Sequence, residues 1–153
     1  MGITSDRELA PKPNVLVTDD VEANLKSFDA LLGDLDCNVI LARSGNEALR
    51  QLLKREFAVI LLDVQMPEMD GYEVARHIRM HPGTRETPII FATATHGSSE
   101  SMLKGYDSGA VDFLLKPIEP EVLRSKVKVF LELYLGRRVI ADAKRELAHS
   151  PRL

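Results

Sequence analysis

From Asn14 onward, short apolar runs alternate with amphipathic stretches along the chain. Five runs, Val15 to Thr18, Cys37 to Ala42, Phe57 to Leu62, Pro88 to Thr93 and Val111 to Leu115, are brief, mostly uncharged and rich in Val, Ile, Leu or Phe. Such runs predict strands covered on both faces. Between them the apolar positions fall at helical spacing. Val21, Leu25, Phe28 and Leu32 recur at i, i+4, i+7 and i+11 ahead of Gly33, which predicts a first helix with one inward face. Ser44 and Glu47 have capping-box spacing and open a second, whose inward stripe is Ala48, Leu49, Leu52 and Leu53. A third begins near Gly71 with Val74, Ala75 and Ile78 inward. A fourth runs from about Ser98 to Gly109 with Met102, Leu103 and Tyr106, and a long last helix starts after Pro120.

Strands that alternate with helices in this way form stacked βαβ units, and so an α/β, doubly wound parallel sheet with right-handed crossovers. The 153 residues fit one compact domain with an extension. Residues 1–13, ending in Pro11-Lys12-Pro13, have no periodicity and are expected to be a flexible leader; 14–130 form the domain, and 131–153 an extended C-terminal helix or linker.

Composition removes several function classes. With 44% hydrophobic and 28% charged residues and no biased tract, the chain is neither disordered nor fibrous. Twenty Lys+Arg against 23 Asp+Glu give a net charge of −3, no basis for direct nucleic-acid binding. The single Cys37 cannot form an internal disulfide and is expected in the core. No apolar stretch approaches the roughly 20 residues of a membrane span, and no signal-peptide core opens the chain, so the expected location is cytoplasmic. His77, His81, His96 and His149 lack metal-ligand spacing.

In doubly wound sheets chemistry gathers at the carboxyl ends of the strands. Those ends carry Asp19 and Asp20 after the first run, Asp63 after the third, Thr93 at the end of the fourth and Lys116 after the fifth. Crowded carboxylates stay ionised only if a cation neutralises them, and Mg²⁺ takes one or two carboxylates together with a phosphate. Asp20 and Asp63 are the expected direct ligands, with the Gln65 backbone carbonyl as a third and Asp19 acting through water.

The motifs V-L-V-T-D-D at Val15 to Asp20, L-L-D-V-Q-M-P-E-M-D-G at Leu61 to Gly71, I-I-F-A-T-A at Ile89 to Ala94 and F-L-L-K-P at Phe113 to Pro117 resemble, in order and spacing, the receiver domains of bacterial response regulators. The resemblance implies a flavodoxin-like (CheY-like) five-stranded sheet of order 2-1-3-4-5. It also implies an aspartyl phosphate on Asp63, a histidine kinase or phosphotransfer protein as donor, and a cis Lys116-Pro117 bond. The chemistry agrees, because phosphoryl transfer needs an in-line nucleophile and dispersed positive charge. Asp63 would attack, Lys116 and the metal would balance charge, and Thr93 would donate to a phosphate oxygen. Movement of Thr93 toward that oxygen would let Phe113, the matching switch position, report phosphorylation on the surface of the fourth helix and fifth strand.

Rival readings are weaker. A phosphatase with a D-x-D pair needs an acid where Gln65 stands, a flavodoxin-like cofactor loop would meet Asp19, Asp20 and Glu22, and no P-loop is present. A phosphorylation-independent interaction module on the same fold is the serious alternative. In the last helix, Leu133, Ile140 and Leu147 recur every seven residues with Gly136 and Ala143 at companion positions. This short heptad suggests a homodimer contact, or a linker in a chain excised from a larger regulator or hybrid kinase.

Overall fold

The computed structural model describes residues 12–94, 107, 109 and 112–149. Five strands, β1 (Asn14–Thr18), β2 (Asn38–Ala42), β3 (Val59–Asp63), β4 (Ile89–Thr93) and β5 (Asp112–Leu115), form one sheet of order β2-β1-β3-β4-β5. All four pairings are parallel. The described helices are α1 (Glu22–Leu32), α2 (Gly45–Lys54), α3 (Gly71–Met80) and α4 (Pro120–His149). The helix expected over 98–109 lies outside the described residues, apart from residues 107 and 109.

Successive residues of each strand point to opposite faces, and the core divides accordingly. Leu16, Ile60, Leu62, Ile89 and Phe91 pack with Ala48 of α2 and Val74, Ala75 and Ile78 of α3. Val15, Val17, Val59, Leu61 and Ile90 pack on the other face with Leu25, Phe28 and Leu32 of α1 and Leu123, Val127 and Leu131 of α4. β3 and β4 are buried throughout, which explains their uninterrupted apolar sequence.

The caps follow local chemistry. Ser44 Oγ accepts from the Glu47 backbone N–H at 3.1 Å, while the Glu47 carboxylate reaches back to the Arg43 N–H. Asp70 caps α3 by accepting from the Glu73 N–H at 2.9 Å. Two expected core positions are exposed. Val21 is the N-cap of α1 rather than part of its inward face, and Leu53, 74% exposed, lies one residue before α2 ends. Cys37 is half-buried against the α1 side, where burial pushes its thiol pKa up.

Gly71 fixes how closely α3 approaches β3. A Cβ there would lie 2.3 Å from the Asp63 carbonyl oxygen and 2.9 Å from the Val64 Cα, both backbone atoms that cannot swing aside. Gly71→Ala is therefore expected to destabilise the fold by about 3 kcal/mol or more, measured by urea unfolding. A loss within about 0.5 kcal/mol would show that α3 can retreat freely.

Candidate phosphoacceptor site

Sheet register brings the chemistry to one edge. Thr18 is level with Leu62, so Asp19, the next residue, stands level with Asp63. Asp63 is level with Ala92, which sets Thr93 one step further along β4. Thr93 faces Leu115, and its carbonyl accepts from the Lys116 N–H at 2.9 Å, tying two candidate residues through the backbone.

The side chains meet. Carboxylate oxygens of Asp19, Asp20 and Asp63 all lie within 4.8 Å of one another. The Lys116 ammonium donates to Asp19 Oδ2 at 2.8 Å and approaches Asp63 Oδ1 at 3.5 Å. Asp19 is fully buried, Asp63 is 7% exposed, and Asp20 is open to solvent. The Lys116-Pro117 bond is cis, as the resemblance implied.

Each carboxylate has a distinct environment. Asp19 Oδ1 accepts from the Val21 N–H at 2.9 Å, and the Asn24 amide donates to both Asp19 oxygens at 3.3 and 3.1 Å. With Lys116 added, both Asp19 oxygens already accept from protein donors, three donor groups against roughly four lone-pair sites. Asp19 thus aims Lys116 rather than presenting a free oxygen. Neither Asp19 nor Asp20 caps α1: Val21 is its N-cap, and no side chain caps that helix.

Asp63 differs. Burial first, then the charge of Asp19, raises its pKa from 3.8 to about 6, against the pull of Lys116. For Lys116, burial alone would lower the pKa; the Asp19 hydrogen bond and the charges of Asp63 and Asp19 outweigh it and hold the ammonium above its ordinary value. One ammonium does not fully neutralise the cluster. An all-oxygen, net-negative set with one exposed member suits a hard divalent cation.

The segment after β3 is pinned by buried Val64 and Met66, with Gln65 exposed between them. It closes through Gly71 N–H to Val64 O at 2.9 Å, and Glu68 takes the left-handed conformation with φ 67°. Thr93 is buried. Phe113 is half-buried, its ring 5.6 Å from Phe91, which meets Tyr72 edge-on at 5.1 Å.

Sequence reasoning missed Asn24. Its signal was an amide in the first turn of α1, five residues after Asp19. It also missed Arg79, whose guanidinium donates to carbonyls of Arg85, Thr87 and Gly109 and ties the end of α3 to the approach to β5.

A five-stranded parallel sheet of this order, with acids, a hydroxyl and a lysine on its carboxyl edge, defines a CheY-like domain. Residues 15–128 match the response regulator receiver domain family, and the chain belongs to it. The protein is therefore a receiver domain of two-component signalling. Among curated relatives, it is 40% identical over 114 residues to Response regulator PleD of Caulobacter vibrioides, covering 74% of this chain and 25% of PleD. It is 39% identical over 125 residues to the signal transduction histidine-protein kinase BarA of Shigella flexneri, covering 82% of this chain and 13% of BarA. The chain thus spans a quarter or less of these relatives' length. Among solved structures, the Vibrio cholerae chemotaxis protein CheY4 superposes with TM-score 0.74 at 34% identity, over 78% of this chain and 98% of that one. Among the described residues, no helix is long and apolar enough to cross a membrane.

Proposed function

We propose that Asp63 accepts a phosphoryl group from a histidine kinase or phosphotransfer protein in a Mg²⁺-dependent reaction. The observation that carries this reading is the meeting of three carboxylates and one ammonium at the carboxyl edge of the sheet. Asp20 and Asp63, with the Gln65 backbone carbonyl, would hold the ion, and Asp19 would act through water because its oxygens already serve Lys116, Asn24 and the Val21 amide. Bound there, Mg²⁺ supplies positive charge for the phosphoryl oxygens.

An Asp63 carboxylate oxygen attacks phosphorus in line. The bond from phosphorus to the donor nitrogen breaks, its electron pair leaves with the donor imidazole, and an acyl phosphate remains. Lys116 needs little reorganisation to balance the transferred charge, because Asp19 already fixes its position. Thr93 donates its hydroxyl to a phosphoryl oxygen. As it moves, Phe113, whose ring meets Phe91, carries the change to the surface of β5, the strand that with the helix expected over 98–109 is to report phosphorylation. In this reading the chain catalyses only its own phosphorylation and dephosphorylation. It works in the cytoplasm, as a module of a larger regulator or hybrid kinase.

The test is intact-mass measurement after incubation with Mg²⁺ and a small acyl-phosphate donor. Wild type is expected to gain one phosphoryl group, and Asp63→Asn and metal-free wild type none. Saturating Mg²⁺ should also stabilise the fold by about 2–3 kcal/mol at a hundredfold excess over its dissociation constant, with most of that gain lost in Asp20→Asn. A wild-type protein that takes up no phosphoryl mass would leave an interaction module as the better account.

A further inference from the structure

α4 keeps its helical course well past its last core residue, Leu131, for about 27 Å at 1.5 Å per residue. Along this stretch Leu133, Ile140 and Leu147 are 49%, 57% and 75% exposed. Val129, Gly136 and Ala143, at the companion positions of the same seven-residue repeat, are exposed as well. The stripe lies roughly 140° around the helix from the Leu123, Val127 and Leu131 face; Leu133, at its near end, also borders a groove against segments 52–58 and 81–88, while Ile140 and Leu147 lie beyond it. Past Tyr134, whose ring still packs on the core and whose hydroxyl meets Glu56, the helix has few contacts of its own and is marginal alone, and an apolar spacing averaging 3.5 residues is the seam of a coiled coil.

We infer that this stripe is the seam of a parallel, two-stranded coiled coil between two copies of the chain. Charge selects the second copy and the orientation. With Leu133, Ile140 and Leu147 as a positions, and Val129, Gly136 and Ala143 as d, the flanking g positions are Glu132, Val139 and Glu146, and the e positions include Arg137 and Lys144. Parallel pairing sets Glu132 of each copy against Arg137 of the other, twice across the two-fold axis, and lays the Lys144 stem along Val139. Antiparallel pairing would oppose Arg137 to Lys144 and Glu132 to Glu146. The pattern is self-complementary, as an isologous interface requires.

Gly136 has nothing within 4 Å of where its Cβ would lie, so the d layer there is thin in one copy alone. With Ala143 beside it, the seam is under-filled and the association weak. The seam is remote from the acid cluster. Pairing therefore needs no phosphoryl group, and the inference does not rest on the phosphoacceptor reading.

Sedimentation equilibrium of the full chain, from about 10 μM to 1 mM, tests it. A concentration-dependent dimer is expected, with or without the Asp63→Asn change. Gly136→Leu fills the layer and removes a helix-weakening residue, and is expected to tighten the dimer roughly tenfold or more. Ile140→Glu should abolish it. Arg137→Glu should weaken it several-fold, and adding Glu132→Arg should restore it. In a Cys37→Ser background, Gly136→Cys should form an inter-chain disulfide under mild oxidation, and Arg138→Cys on the outer face should not. Wild type and Gly136→Leu both monomeric at 1 mM would overturn the inference. So would a dimer indifferent to Ile140→Glu, or one in which Gly136→Cys does not cross-link.

Discussion

Replacing Asp63 by Asn is expected to abolish phosphoryl uptake and, in the same protein, to make the metal-free fold more stable at pH 7.5. The folded chain holds the Asp63 proton with a pKa of about 6, against an ordinary 3.8. Between those values the native state binds the proton more tightly than the unfolded chain, so this group's contribution to stability falls as pH rises through the window. Above about pH 6 the whole penalty is present, at most about 3 kcal/mol. Asn carries no such penalty. The advantage of Asp63→Asn should therefore be 2–3 kcal/mol, to order of magnitude, at pH 7.5 in EDTA, shrink below pH 6 and vanish near pH 4. Saturating Mg²⁺ should narrow the gap by favouring the ionised wild type. Urea unfolding at several pH values reads all of this, and a gap that is absent or independent of pH would mean that the carboxylates do not crowd in solution.

Lys116→Met should have the opposite effect. Its ammonium is the cationic partner of the fully buried Asp19, at 2.8 Å. Without it Asp19 keeps the Val21 N–H and the Asn24 amide, which do not neutralise a buried charge. Removing one partner of a buried pair costs about 3–5 kcal/mol, and a loss near the lower figure is expected in EDTA at neutral pH because Met preserves the stem's packing. The loss should diminish as acid protonates the carboxyls, and Mg²⁺ should restore part of it. Phosphorylation by a small donor should slow by roughly a hundredfold. Equal stability of Lys116→Met and wild type in EDTA would show that Asp19 finds its countercharge elsewhere.

The alternating apolar runs sufficed to place every strand among the described residues, because a parallel sheet buried on both faces tolerates few charges. They erred at ends. Phe57 and Ala58 were read as strand but precede β3; both are apolar and buried, and the Ala58 N–H already donates to the Asn14 carbonyl at 2.8 Å just before the paired register begins. Asp63 was read as following β3 and is its last residue. Leu53 was placed inside by helical spacing, but it is the penultimate residue of α2 and is exposed. The principal site residues were legible because each occupies the same relative place in its βα unit. The division of labour among the acids was not. That Asp19 is consumed by Lys116, Asn24 and a backbone amide while Asp20 faces water depends on how α1 leaves β1, a three-dimensional matter that adjacent identical letters do not encode.

The reach of α4 past Leu131 has a mechanical side. Anchored in the core at one end and held straight by pairing along its seam, α4 works as a lever arm, magnifying small tilts of its base. A rotation of about 5° at the Leu123–Leu131 anchorage would carry the far tip roughly 2.4 Å sideways, more than the shift of any single side chain that set it off needs to be.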